Sequence, residues 1–286
     1  MLKINGDLHI HTNYSDGSLS PGEILDMAKE RQLSVISITD HNTISGVEEA
    51  VQLGKVIGIE VIPGIELSIE YKTEMHLLGY CFDIYNKDLS QYINSKKEWE
   101  FSELIKFIRK VRKKINNISI DDFLSINTIN VRTIADVMIE KGYAKDRYEI
   151  FKNFFENVDQ LSINKIGLSP REGIKLINDA GGLSVLAHPT RLGCSYQELY
   201  DILIELKEFG LSGLECYHKC HSLVDVREFI RIANELNLII TGGSDFHSIE
   251  DSNANNQDLD VSNFEFYFFG QSYNTQPSNT FLRYII

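Results

Sequence analysis

The chain has few of the residues that stabilise proteins without a large hydrophobic core. Its 286 residues include only four cysteines and five prolines, which excludes a disulfide-rich scaffold and a collagen-like chain. No apolar run approaches the ~18 residues that a membrane-spanning helix needs. Basic residues are also in deficit, with 28 Lys and Arg against 41 Asp and Glu and a formal net charge of −13. Duplex DNA and anionic membranes require a basic surface, so we expect neither as a partner.

The cysteines and the N-terminal residues predict a soluble protein of the cytoplasm. The cysteines form no CxxC pair and lie near apolar segments, so we expect reduced and mostly buried thiols. They are Cys81, Cys194, Cys216 and Cys220. The N-terminal segment MLKINGD lacks the cationic and then apolar pattern of a secretory signal.

Short apolar segments alternate with helical patterns over most of the chain. Capping boxes predict helix starts at Ser20–Glu23, Ser169–Glu172, Ser195–Glu198 and Ser222–Asp225. The predicted strands are Lys3–His9, Ser34–Thr39, Glu60–Ile65, Met75–Cys81, Leu183–Ala187, Gly213–Tyr217 and Leu238–Gly242. Such alternation is typical of an α/β fold with a mainly parallel sheet. Seven strands predict a closed or nearly closed (β/α) barrel, with an open doubly wound sheet as the alternative.

The alternation stops between residues 86 and 166. Apolar residues recur there at helical spacing, which predicts a long helix that packs through one stripe. The stripe comprises Phe101, Leu104, Ile108, Val111 and Ile115, and further helices are predicted at Arg132–Lys141 and Arg147–Glu156. We expect a helical insertion domain over 86–166, a discontinuous barrel over 1–85 and 167–250, and a C-terminal tail over 251–286 that packs on the barrel.

All eight histidines lie outside residues 77–187, at or near predicted strand ends. The ends of parallel barrel strands meet at one rim, so histidines and acids far apart in sequence would converge on one pocket. His9 and His11 project to the same side of an extended strand, with Asp7 as a candidate partner that fixes a ring tautomer. The candidate metal ligands are His9, His11, Asp16, His41, Glu66, His76, His188, Asp245 and His247. A set of imidazoles and carboxylates without thiolates suits Zn, Mn or Fe. Nine ligands give about three per ion if three ions share bridging water, and Glu66 is the natural bridging carboxylate.

Several of the acids and histidines near strand ends also have an ordinary structural interpretation. Asp7 and Asp40 could cap loops, and His76 could be a hydrogen-bonded histidine of the core. His188, which precedes a proline, could belong to a turn, and His218 could cap a helix. Their joint occurrence at strand ends favours a metal site.

Six segments together resemble the successive motifs of the PHP family, the polymerase and histidinol phosphatase superfamily of metal-dependent phosphoesterases. They are DLHIHTNYSDG (Asp7–Gly17), TDH (Thr39–His41), PGIE (Pro63–Glu66), HLLGY (His76–Tyr80), AHP (Ala187–Pro189) and GSDFH (Gly243–His247). The helical insertion and the segment Gly213–His221 resemble the stand-alone phosphoesterases. Some of those remove the 3′-phosphate from nucleoside 3′,5′-bisphosphates or trim short RNA from its 5′ end.

The resemblance implies a distorted seven-stranded, TIM-like barrel that holds three divalent ions of Mn, Fe or Zn. One ion would take His9, His11, Glu66 and Asp245, the second Glu66, His76 and His188, and the third Asp16, His41 and His247. The implied substrate-binding residues are Asp40, Arg132, Lys165, His218 and His221. Two of them are also implied in catalysis, Asp40 through proton transfer and Arg132 through contact with phosphate.

The predicted activity is hydrolysis of a phosphomonoester of a small nucleotide-like substrate by a hydroxide that bridges the ions. Two alternatives stay open: a histidinol phosphate phosphatase, and a metal-binding sensor or accessory module without turnover. A metal-dependent amidase or deaminase is disfavoured because no metal-bridging lysine is evident at a strand end. The first insertion helix differs from those of the stand-alone phosphoesterases, which carry arginines there. It has Lys96, Lys97, Glu98, Glu100 and Glu103, which weighs against a doubly phosphorylated nucleotide.

Overall fold

The computed structural model describes residues 5–129, 131–155 and 167–249. Their contacts define two compact units, formed by the described parts of Met1–Leu89 with Leu168–Ile286 and of Ser90–Gly167. The first unit contains the sheet, and the second is helical. The predicted C-terminal tail over 251–286, the end of the helix predicted at Arg147–Glu156, and Lys165 lie outside the described residues.

Seven strands form one sheet whose spatial order follows the sequence. They are β1 (Gly6–Ile10), β2 (Val35–Ile38), β3 (Glu60–Ile69), β4 (Met75–Tyr80), β5 (Leu183–Leu186), β6 (Gly213–His218) and β7 (Ile239–Gly243). Each overlaps a predicted strand. The two outer strands also meet, because Ile10 bridges Phe246 and the His11 N–H donates to the Phe246 carbonyl at 2.9 Å. The sheet is therefore nearly closed, which confirms the predicted barrel over the open alternative.

The strand β4 runs against its neighbours. It pairs antiparallel with β3 and with β5, whereas the other four strand pairs are parallel. Only residues 70–74 connect β3 to β4, and so short a connection returns the chain antiparallel, because a parallel pair needs a crossover of about a dozen residues or more. The start of β4 therefore lies at the rim where the parallel strands end. His76, its second residue, reaches that rim because of this reversal.

Eight α-helices accompany the sheet in the part of the chain that the structure describes. They are α1 (Pro21–Glu30), α2 (Val47–Ile57), α3 (Lys87–Val111), α4 (Val131–Glu140), α5 (Arg147–Ile150), α6 (Pro170–Asp179), α7 (Tyr196–Glu208) and α8 (Leu223–Glu235). All four predicted capping boxes form, at the starts of α1, α6, α7 and α8. In each, the serine hydroxyl accepts a backbone N–H that the helix leaves without a partner. None of the described helices has the length and apolar character that crossing a bilayer requires.

The helices of the second unit have a hydrophobic core of their own. Its buried members include Leu104, Phe107, Ile108, Ile134 and Met138. The predicted stripe is wrong at Phe101, which is 42% exposed. Ile115 packs against this core as predicted, although it lies beyond Val111, where α3 ends. Helical spacing alone allowed Phe101 or Phe107 to continue the stripe, and the packing of α3 against the other helices of this unit selects Phe107.

The four cysteines are unpaired, as predicted. Only Cys216, inside β6, is buried; Cys81 and Cys194 are partly buried and Cys220 is exposed. The expectation of mostly buried thiols is therefore wrong. Cys194 and Cys220 follow strands rather than lie within them, and residues that follow strands are more often open to solvent.

The joint between β1 and β7 depends on a glycine and a buried carboxylate. A Cβ atom at Gly243 would lie 2.4 Å from the backbone nitrogen of His9, so only glycine allows this approach. Asp7 accepts hydrogen bonds from the Ser244 N–H at 2.9 Å, the Ser244 hydroxyl at 2.6 Å and the His9 N–H at 3.2 Å. Both carboxylate oxygens thus hold the strand joint. The predicted role of Asp7 as the partner of an imidazole ring is wrong.

Replacing Gly243 by alanine should destabilise the barrel, because the added Cβ would collide with the backbone of β1. We expect the free energy of unfolding, measured by urea denaturation, to fall by about 1–3 kcal/mol, the usual size of an overpacking cost. Gly22→Ala is the matched control, since a Cβ there meets only Leu53 Cδ1 at 3.8 Å. In α1 alanine should be neutral or stabilise by about 0.5–1 kcal/mol. Equal stabilities of the two variants would contradict the close approach of β1 to β7.

Candidate metal centre

One carboxylate, that of Glu66 in β3, lies at the centre of a cluster of histidines at the barrel rim. Five imidazole nitrogens lie 2.8–3.2 Å from its two oxygens. They belong to His9, His11, His41, His76 and His188. Glu66 is 1% exposed, so these charges interact where water screens them little.

The two histidines at the end of β1 face a second carboxylate as well. His9 Nε2 and His11 Nε2 lie 3.2 and 3.1 Å from Glu66 Oε2. The same nitrogens lie 3.6 and 3.2 Å from Asp245 Oδ1. Donor atoms from all four residues lie within 4.8 Å of one another. This geometry suits one ion with two imidazole and two carboxylate ligands.

The other oxygen of Glu66 contacts histidines from β4 and from the end of β5. Its Oε1 lies 2.8 Å from His76 Nδ1 and 2.9 Å from His188 Nε2. His41, which follows β2, also belongs to a group of possible metal donors with Glu66 and His76. Glu66 therefore faces two donor groups with its two oxygens, the arrangement that a bridging carboxylate requires.

A third group of donors surrounds Asp16, in the loop between β1 and α1. Its carboxylate lies 3.3 Å from His247 Nε2 and 3.9 Å from His41 Nε2. His11 Nδ1 is 3.7 Å away. The structure thus brings all nine predicted ligands to one rim of the barrel, with the histidines around the carboxylates of Glu66, Asp245 and Asp16.

The donors fit divalent metal ions. Among the described residues, both ring nitrogens of His11 and Nδ1 of His41 are buried and close to carboxylate oxygens, yet none makes a hydrogen bond of good geometry. Such atoms are costly unless a ligand completes them. Imidazole nitrogens with carboxylate oxygens suit Zn, Mn or Fe.

The histidines keep the central carboxylates in their charged form. Burial by itself would raise the pKa values of Glu66 and Asp245, but the surrounding histidines lower both well below the usual range. In return, and against the effect of burial, Asp245 and Glu66 raise the pKa of His11 to about 10. Metal ions bind deprotonated imidazole, so metal binding at this cluster releases protons.

Two of the nine residues have an unusual backbone. The φ angle is 24° at His188 and 50° at Asp245, in a region that residues other than glycine seldom adopt. Backbone strain of this kind concentrates at functional sites. At these two positions the chain leaves β5 and β7, and both side chains point into the cluster.

Asp40 lies in the wall of the site. It is fully buried, and its carboxylate accepts hydrogen bonds from the Thr12 N–H at 2.7 Å, the Thr12 hydroxyl at 2.6 Å and the Ser15 hydroxyl at 2.5 Å. These bonds hold the loop that carries Asp16. Its role in proton transfer stays a prediction.

Glu215 in β6 is a site residue that sequence reasoning missed. Its Oε1 lies 2.9 Å from His9 Nδ1, and its Oε2 accepts the His188 backbone N–H at 2.6 Å. Burial would raise its pKa, but His9, His218 and His188 together lower it to about 2. Glu215 therefore orients two candidate ligands from the side opposite Glu66. Two signals in the sequence could have found it: Glu215 is an acid inside an apolar strand segment, and it belongs to the segment Gly213–His221 that resembles the stand-alone phosphoesterases.

The predicted substrate-binding residues that the structure describes belong to different elements. His218 is buried, with Nε2 3.3 Å from Asp245 Oδ2. His221 donates from Nδ1 to the Cys216 carbonyl at 2.9 Å and packs edge-on against Phe229, so its ring is part of the packing beneath α8. Arg132 lies in the first turn of α4, in the second unit. Contacts of Arg132, His218 and His221 with substrate remain predictions.

The rim cluster and the nearly closed barrel define a metal-dependent phosphoesterase. The model of the PHP domain family matches residues 7–210, which is well over half of the chain. The chain belongs to the PHP family, and this confirms the resemblance seen in its motifs.

Similar proteins support the same assignment. A phosphoribosyl 1,2-cyclic phosphate 1,2-diphosphodiesterase from Eggerthella lenta is 27% identical over 84% of this chain and 93% of its own. A 3′,5′-nucleoside bisphosphate phosphatase from Chromobacterium violaceum is 25% identical over 85% of this chain and 87% of its own. A structure from Bifidobacterium adolescentis, described as a candidate metal-dependent phosphoesterase, is 26% identical with a TM-score of 0.74, over 85% of this chain and 88% of that one.

Replacing Glu215 by glutamine should weaken metal binding. Glutamine is neutral and can accept only one of the two hydrogen bonds, so His9 becomes a poorer ligand and His188 loses its anchor. We expect the affinity for Zn²⁺ or Mn²⁺, measured by competition with a chelator, to fall about 10- to 100-fold. Glu205→Gln, which removes an exposed carboxylate from α7, should leave it unchanged. An unaltered affinity of the Glu215 variant would show that this carboxylate has no part in holding the ligands.

Proposed function

We propose that this protein hydrolyses a phosphomonoester of a small nucleotide-like substrate, a nucleoside 3′,5′-bisphosphate or the 5′ end of a short RNA. The observation that supports this most strongly is the sharing of the Glu66 carboxylate by imidazoles from four parts of the barrel. Such an arrangement suits a cluster of ions, and clustered ions suit the hydrolysis of phosphate esters. The bisphosphate phosphatase from Chromobacterium violaceum supports the class of substrate.

We propose three divalent ions, of Mn, Fe or Zn. His9, His11, Glu66 and Asp245 would hold the first, Glu66, His76 and His188 the second, and Asp16, His41 and His247 the third. Donor groups around Asp245 and Asp16 support the first and third sites. The contacts of Glu66 Oε1 with His76 at 2.8 Å and His188 at 2.9 Å support the second. Bound divalent ions lower the pKa of coordinated water and neutralise the charge of phosphoryl oxygens.

Other residues of the protein would orient the metal ligands and bind the substrate. Glu215 keeps His9 and His188 directed toward Glu66, and Asp40 fixes the loop of Asp16. We propose that Arg132 binds a phosphate of the substrate, as its family counterpart does, and that Lys165 assists it. A guanidinium suits that role because its planar donors match two phosphate oxygens.

We also propose a cytoplasmic location. The four cysteines, none in a disulfide, support it, because thiols stay reduced in that compartment.

The site assignment is tested by replacing Asp245 with alanine in the metal-loaded protein. Asp245 is a proposed metal ligand that contacts both His9 and His11. Its loss should lower kcat/KM for 4-nitrophenyl phosphate by at least about 10³-fold, since metal ions contribute several kcal/mol to such reactions. Elemental analysis should show less bound metal. Asp26→Ala, on the exposed side of α1, is the control and should match the parent protein. Full activity and full metal content in the Asp245 variant would refute the assignment.

The substrate is tested with a panel of adenosine 3′,5′-bisphosphate, 5′-phosphorylated short RNA and histidinol phosphate. We expect kcat/KM for one of the two nucleotide substrates to exceed that for histidinol phosphate by at least about tenfold. Preference for histidinol phosphate would favour the histidinol phosphatase alternative. Bound metal without turnover of any substrate would favour a sensor or accessory module.

A further inference from the structure

Two basic side chains lie at the edge of the metal cluster and belong to none of its donor groups. Arg191, in the turn Pro189–Leu192 after β5, donates from Nη2 to Asp245 Oδ2 at 3.0 Å. Lys219, which follows β6, donates from Nζ to the Asp245 carbonyl and lies 3.5 Å from the same Oδ2. Both residues therefore reach the outer oxygen of one candidate ligand, from two neighbouring strand ends.

These cations are open to solvent while the carboxylate between them is closed. One third of the Arg191 and Lys219 side chains is exposed, against 3% of Asp245. The other oxygen of Asp245 faces His9 and His11. The outward side of Asp245 is thus lined by two partly exposed cations.

Two fixed positive charges exceed what half of one carboxylate can balance. Asp245 carries a single negative charge, and a metal ion held with His9 and His11 would draw on that same charge. On the solvent side, the two cations would then face only the exposed carboxylate of Glu74, which pairs with Arg191. An anion with several oxygens meets this deficit best, because a guanidinium and an ammonium bind phosphate through charge-assisted hydrogen bonds.

A second carboxylate already occupies the outer arm of Arg191. Arg191 Nη1 donates to Glu74 Oε1 at 2.9 Å, and half of the Glu74 side chain is exposed. Glu74 lies in the turn between β3 and β4, on the other side of the Arg191 guanidinium from Asp245. An exposed ion pair of this kind contributes little stability, so an incoming anion can displace Glu74 at small cost.

We propose that Arg191 and Lys219 form the subsite for the phosphoryl group of the substrate, and that Glu74 is a counter-ion that leaves Arg191 when phosphate binds. This inference rests on the proposed phosphoesterase function and adds the residues that recognise the anion. It differs from a purely structural role, in which both cations only hold Asp245 in place. Glu74 distinguishes the two roles, because it touches Asp245 in no described contact. Replacing Glu74 should change phosphate binding if Arg191 binds phosphate, and should have no effect if Arg191 only holds Asp245.

The test measures the binding of inorganic phosphate to the metal-loaded, full-length protein by isothermal titration calorimetry, with metal content determined on each sample. Arg191→Gln should weaken phosphate binding about 10- to 100-fold, the value of a lost charged hydrogen bond. Lys219→Gln should weaken it about 3- to 30-fold. Glu74→Gln should act in the opposite direction and tighten binding about 3- to 10-fold, because the competitor for Arg191 is gone.

Matched controls isolate the contacts from the change in net charge. Glu70→Gln removes an exposed carboxylate from the same turn as Glu74, and Arg231→Gln removes an exposed guanidinium from α8. Both should leave phosphate affinity unchanged. Arg191→Lys keeps the charge but loses the two-armed geometry and should fall between the parent and Arg191→Gln.

The outcomes separate the interpretations. Unchanged phosphate affinity in Arg191→Gln, or a loss that merely follows a loss of metal, would overturn the subsite. Equal affinities of Glu74→Gln and Glu70→Gln would overturn the counter-ion. Calorimetry needs no turnover, so a protein that hydrolyses no ester but shows the expected shifts would refute the proposed function while the subsite stands.

Discussion

The site depends on one buried carboxylate that several imidazoles share. Glu66 lies where water screens charges poorly, so it stays ionised only because His41, His76, His9 and His11 outweigh the cost of burial. The same attraction raises the pKa of His11 to about 10. Without Glu66, these histidines would lose the carboxylate that they share. The cluster is therefore cooperative, since each member is held by charges that the others supply.

The barrel is built so that this carboxylate can be shared. The reversed strand β4 brings His76 to the rim where the parallel strands end, and the close approach at Gly243 lets β7 meet β1. Asp7 then ties the two strands together at Ser244. A sheet left open between β1 and β7 would separate Asp245 from His9 and His11. Closure of the barrel and assembly of the donor groups are thus the same structural event.

Charge is distributed unevenly around the site. The chain as a whole carries a formal charge of −13, which would repel an anionic substrate. The donor groups for metal ions, together with Arg191 and Lys219, make the barrel mouth locally attractive to a phosphate. Binding by a few positioned cations, rather than by a basic surface, suits a small substrate better than a nucleic acid duplex. The −13 charge and a phosphoesterase activity are therefore compatible.

The sequence by itself determined the seven strands, the four capped helices and the nine candidate ligands, because each depends on a short local pattern or on a position at a strand end. Only the tertiary structure decided which atoms meet. Glu215 and His9 are 206 positions apart and touch across the barrel, and Asp7 binds Ser244 rather than a ring. The sequence allowed Phe101 as readily as Phe107 in the stripe of α3, and it left Arg191 and Glu74 unnoticed. Sequence periodicity predicts on which face of an element a side chain lies. Which residues then meet depends on how strands far apart in the chain pair and on the closure of the barrel.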